Sequence, residues 1–131
     1  MATTTATLTL SSSDLTGDAL SLSTTATLTK AGTVTGLDQF TGIARKTFSS
    51  TSQVTLIAKG DYTDDKAHKV YLKNTSTVAT ENLIVTVESQ LLGRLYAGDW
   101  ALLPFNGDQD IKITPSVSTA VTVEYAVIYE A

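Results

Sequence analysis

The sequence contains no cysteine, so neither a disulfide nor a thiolate metal site holds the chain together. Charge is scarce: Asp, Glu, Lys and Arg make up 17% of the residues, and the balance is a net charge of −4. A surface of that kind has no general attraction for phosphate backbones or anionic lipid, so neither nucleic acid nor a membrane is an expected partner. The nine Lys and Arg residues are scattered from Lys30 to Lys112. Their tightest groupings, Arg45-Lys46 and Lys66 to Lys73, are interleaved with or preceded by acids. No apolar run approaches the length that spans a bilayer. The start, Met-Ala-Thr-Thr-Thr, lacks the basic residues and apolar run of a secretory signal, so the expected location is a cytoplasm, or a particle assembled there.

Catalytic residue types are equally thin. The single histidine, His68, stands in an Asp-rich stretch, with no Gly-x-Ser-x-Gly elbow and no second histidine to suggest a nucleophile and base, and it reads as a solvated loop residue. Asp61, Asp64 and Asp65 form one acidic cluster and Asp108 with Asp110 another. The EF-hand order of ligands around a central Gly is absent, and Lys66 and Lys69 neutralise the first cluster, so both read as solvated loops. Glu88 and Glu124 each alternate with apolar neighbours, which places them on the solvent side of half-buried strands rather than in a glycosidase cleft. No glycine-rich phosphate loop precedes a helix. No enzyme activity, metal or cofactor is expected.

What is abundant is Thr, Ser, Val, Leu and Ala, a set whose β-branched members suit a pleated surface. One domain with a real core fits 131 residues. Residues 1–43 form a distinct segment in which Thr-Thr-Ala-Thr-Leu-Thr occurs at Thr4 to Thr9 and again at Thr24 to Thr29. Each copy alternates hydroxylated and small apolar residues and reads as a strand, with turn chemistry between them at Ser11 to Asp18. The apolar volume here is small, chiefly Leu8, Leu10, Leu20, Leu22 and Leu28. The segment is therefore either the edge of a main sheet or an arm ordered by another subunit. Thr5, Thr7, Leu8, Leu10, Leu22 and Leu28 are its candidate interface residues.

Residues 44–131 alternate apolar and polar positions at period two in strand after strand: Val54 to Lys59, Val70 to Lys73, Leu83 to Glu88 and Val121 to Glu130. Turn signals recur about every ten residues. The best helical window, Asp38 to Lys46, is interrupted by Gly42. The expected fold is an all-β antiparallel sandwich of about eight strands, jelly-roll-like, with an extended N-terminal segment and with Trp100, Leu102, Phe105 and Val121 to Tyr129 in its core. Tyr125 and Tyr129 share a strand face with three valines and are assigned to packing, a sugar-stacking platform being the alternative.

From Lys69 onward the order of segments carries a resemblance. It runs Lys-Val-Tyr-Leu-Lys-Asn-Thr-Ser, then Leu83 to Glu88, Leu92-Gly93-Arg94-Leu95, Gly98-Asp99-Trp100-Ala101-Leu102-Leu103-Pro104-Phe105, Asp110-Ile111-Lys112-Ile113 and the terminal strand. This half of the chain resembles the small β-sandwich virion proteins of tailed bacteriophages, in particular capsid decoration or cement proteins. The resemblance implies a location on the capsid surface, the major capsid protein and further copies of the chain as partners, and a homotrimer. A tail or head-to-tail component, or a carbohydrate-binding or receptor-binding module of a phage fibre, are the alternatives.

Overall fold

The computed structural model describes residues 2–15, 17 and 19–131. Eleven strands are present among them, and no helix. They are β1 (Thr4–Ser12), β2 (Leu20–Leu28), β3 (Gln39–Phe40), β4 (Ala44–Phe48), β5 (Val54–Ile57), β6 (His68–Asn74), β7 (Leu83–Val87), β8 (Gln90–Leu95), β9 (Trp100–Phe105), β10 (Ile111–Pro115) and β11 (Val121–Tyr129). Asp38 to Lys46, the best helical window of the sequence, forms no helix, because β3 and β4 take that stretch as two edge segments along β11. The count exceeds the expected eight since β1 and β2 stand apart as their own two-stranded sheet and β3 is only two residues long.

The fold is an all-β antiparallel sandwich. One sheet runs β4-β11-β6-β9, with β3 extending the β4 edge, and the other runs β5-β10-β7-β8. β6 shows how alternation builds the core: His68, Val70, Leu72 and Asn74 are buried while Lys69, Tyr71 and Lys73 face outward. Facing them from the second sheet are Leu83 and Val85 of β7 and Ile111 and Ile113 of β10. Phe48, Ile57, Leu95 and Phe105 join the same cluster.

Two irregularities break the alternation. Between Ile111 and Lys112 the pairing of β10 with β5 shifts so that Leu56 is an extra residue, which puts both Val54, opposite Ile113, and Ile57, opposite Ile111, on the core face. A second shift leaves Leu92 of β8 without a partner on β7. The buried polar residues are bonded. Asn74 donates to the carbonyls of Glu81 and Leu95, 3.0 Å each, and accepts the Ser76 N–H at 3.0 Å, so one side chain fixes two loops at the end of β6.

Candidate assembly surface

β1 and β2 pair over nine residues, and the register centres the two copies of the repeat on Ala6 opposite Ala26. Because side chains alternate, this register sorts the hairpin into two unlike faces. One carries Thr5/Thr27, Thr7/Thr25, Thr9/Ser23 and Ser11/Ser21, a ladder made wholly of hydroxyl groups, with Thr7 and Thr25 bonded through their Oγ1 atoms at 2.9 Å. Cross-strand pairs of this kind contribute about 0.2–1 kcal/mol each, which helps an isolated two-stranded ribbon to persist. The other face carries Ala6/Ala26, Leu8/Thr24, Leu10/Leu22 and Ser12/Leu20.

The base of the hairpin is held on the outside of the sandwich. Ala6, Leu8, Thr24 and Ala26 border the same gap as Trp100 and Leu102, which point outward from β9. The small alanines let the ribbon approach those bulky side chains. Ala2 runs so close to Gly36 that a Cβ there would sit 2.1 Å from the Ala2 carbonyl oxygen. The loop after β2 is tied down by Glu130, whose carboxylate accepts the N–H groups of Ala31 at 3.0 Å and Ala67 at 3.4 Å and meets Lys66 Nζ at 3.4 Å. The bond from Ala31, then that from Ala67 and the Lys66 ammonium, hold the Glu130 carboxyl below its ordinary pKa against the cost of burial.

Beyond Leu8 and Thr24 the hairpin leaves the body. Among the described residues the hollow at its tip is lined by Ser11, Ser12, Ser13, Asp14, Ala19 and Leu20, with no residue of the sandwich. Leu10 and Leu22, opposite each other, remain 42% and 43% exposed, and Leu15 at the tip is 51% exposed. The six residue steps from Leu8 to Asp14 reach roughly 20 Å at strand spacing.

A second apolar area lies at the open side of the sandwich, where the edge strands β8 and β9 belong to different sheets. Leu91 and Leu92 are exposed on β8, and a cleft of about 470 Å³ opens beside them. Val87, Leu92, Leu103, Pro104, Phe105 and Ile111 supply its apolar walls, and Lys66 and Lys69 its charge. Contiguous exposed apolar surface of this sort marks interaction sites more often than scattered single residues do.

Of the residues expected at an interface, Thr5 and Thr7 lie on the hydroxyl face, and Leu8, Leu10 and Leu22 on the apolar one. Leu28 is a correction. It is 6% exposed, packed at the base of the hairpin where its carbonyl accepts the Leu37 N–H at 2.9 Å, and it is unavailable to a partner. Trp100 and Leu102 are corrections of the opposite sign, since both face out from β9 while Ala101, Leu103 and Phe105 face in.

His68 is no solvated loop residue either. It is fully buried as the first residue of β6, its Nδ1 accepting the Glu130 N–H at 3.2 Å and its Nε2–H donating to the Thr63 carbonyl at 2.8 Å. With both ring nitrogens bonded to the backbone, it offers nothing to a substrate. Glu88 sits in the turn after β7 with φ 52°, accepting the Asp110 N–H at 3.1 Å. Glu124 faces outward on β11, where the Arg45 guanidinium at 2.9 Å is the main cause of its lowered pKa, with the Tyr71 hydroxyl at 3.2 Å assisting.

Sequence reasoning missed Leu91, Leu92 and the β8–β9 cleft. The adjacent leucines, which interrupt a period-two pattern, were the available signal. Compared with family models, curated proteins and solved structures, the chain matches none of them.

Proposed function

We propose that this chain is a structural subunit that mounts on the outside of a larger protein shell, as a capsid decoration protein of the tailed-phage kind does. The observation that carries the reading is the β1–β2 hairpin, rooted on the sandwich at Trp100 and Leu102 and extending its leucines into solvent. A ribbon with one apolar face reaches stability by covering that face, and many copies of a modest contact on a repeating shell add by multivalency.

The sandwich supports the same reading. Counted from β4 as the first strand, the two sheets run 1-8-3-6 and 2-7-4-5. We read this order as a jelly roll, an arrangement found in viral capsid and lectin domains. Fold alone does not choose between those classes. The sugar-binding alternative is weakened by the placement of its aromatics: Tyr129 packs edge-on against Tyr62 at 5.2 Å between ring centroids, and Tyr125 packs against the core. A tail or head-to-tail component would use the same hairpin.

On this proposal the major capsid protein and further copies of the chain, as a trimer, are the partners, and the virion surface is the location. Sedimentation of the purified chain with expanded capsids should show saturable binding, and the decorated particles should disrupt at a higher temperature. Absence of both effects removes the reading.

A further inference from the structure

We infer that the hairpin tip of one copy seats in the β8–β9 cleft of another copy of this chain, a contact that rests on the assembly reading above. The two surfaces are complementary in shape class and in charge. The tip presents the exposed Leu15 beside the exposed Asp14, and the stretch from residue 2 to residue 29 contains two aspartates and no Lys or Arg. The cleft has apolar walls, carries Lys66 and Lys69, and among the described residues no acidic side chain lines it. Lys66 shares its charge with Glu130, 3.4 Å away, and Asp65 accepts a bond from Asn106 at the rim, whereas Lys69 has no ion pair among the described residues and is the ammonium that faces a neighbour.

An acidic, leucine-bearing loop thus meets an apolar cleft edged with ammonium groups. Among the described residues β1 and β2 pack chiefly on each other and the hollow at their tip is bordered by hairpin residues alone, so the occupant supplied is a neighbour's tip rather than the chain's own.

This contact joins unlike patches, so it is heterologous: each copy offers a tip and a cleft, and copies link until the ring closes. Leucines that enter the cleft lose water contact, whereas an ammonium on the tip would be buried beside apolar walls and next to Lys69, and a carboxylate in the cleft would face Asp14 of the tip. That difference makes the contact testable with single charges.

The experiment is sedimentation equilibrium on the full-length chain, on Leu15→Lys and on Leu92→Glu. Wild type should self-associate, and each variant should do so at least about tenfold more weakly while keeping the wild-type thermal midpoint. Leu15 is 51% exposed at the tip, so Leu15→Lys decides the matter even if Leu92→Glu folds poorly. Mixing the two variants provides the discriminating arm. A Leu15→Lys copy keeps an intact cleft and a Leu92→Glu copy an intact tip, so the mixture should form one-to-one pairs that neither variant forms alone.

A monomeric wild type, an unaffected Leu15→Lys, or a mixture of folded variants no more associated than its components would each overturn the inference. Capsid binding is read separately on the same samples. A chain that binds capsids but stays monomeric removes this contact and leaves the decoration reading in place. One that self-associates without binding capsids does the reverse.

Discussion

Replacing Asn74 by Ala tests whether one buried amide organises the end of the sandwich next to the hairpin-bearing strand β9. Its side chain makes three bonds of 3.0 Å, to Glu81 O, Leu95 O and Ser76 N, in a position with no solvent exposure. At about 1 kcal/mol net for each bond the loss is about 3 kcal/mol, because no water reaches the groups left behind. With a urea slope of about 1.5 kcal/mol/M for a domain of this size, the unfolding midpoint should fall by about 2 M. Asn74→Asp should be at least as damaging, since it sets a carboxylate oxygen against two carbonyl oxygens that now receive a donated proton. The exposed Asn106, whose amide makes one 3.4 Å contact with Asp65, is the control, and Asn106→Ala should stay within about 0.5 kcal/mol of wild type. A midpoint shift below about 0.5 M for Asn74→Ala would refute the assignment of these loops to that side chain.

Two further outcomes follow from the hairpin's attachment. The folded-state pKa of Glu130 lies below its ordinary value, so its contribution is present above the ordinary carboxylate range and is lost as pH falls through the folded-state pKa. The difference in thermal midpoint between wild type and Glu130→Gln should therefore narrow toward zero from about pH 7 to about pH 3, and a constant difference would contradict the role of its charge. Gly36→Ala should displace the N-terminal residues, because its Cβ would meet Ala2 O at 2.1 Å. Faster proteolysis within residues 2–28 at a nearly unchanged unfolding midpoint is the expected result, and wild-type protection would count against the close approach.

The parts of the fold legible in the sequence are those where period two runs unbroken. β11 buries Val121, Val123 and Val127 with Glu124 turned out, as its alternation predicts, and β6 extends the same pattern to His68 at one end and Asn74 at the other. His68 was missed because its acidic neighbours suggested a loop, while its parity with Val70 and Leu72 already placed it inward. Parity also separates Trp100 and Leu102 from Phe105: residues an even number apart share a face, and Phe105 is an odd number from both. All three cannot enter one core from a regular strand.

The bulges at Leu56 and Leu92 were not legible, since an extra residue is set by pairing with a strand distant in sequence. At the candidate site, the Thr-rich repeat announced a hairpin and its two faces. The cleft did not announce itself, because it is made where β9 of one sheet passes β8 of the other.

On the proposed function, the outer hairpin is an attachment element carried by a sandwich that stands without it. Ala6 and Ala26 face each other, so residues 7–25 can be excised and the strands rejoined by an Asn-Gly turn, leaving Leu28, Leu37 and the Glu130 bonds in place. Binding of this variant to expanded capsids, measured by sedimentation beside its unfolding midpoint, is the direct measurement. The expected result is a folded protein with a near wild-type midpoint that no longer binds. A shortened chain that still decorates capsids to saturation would contradict it.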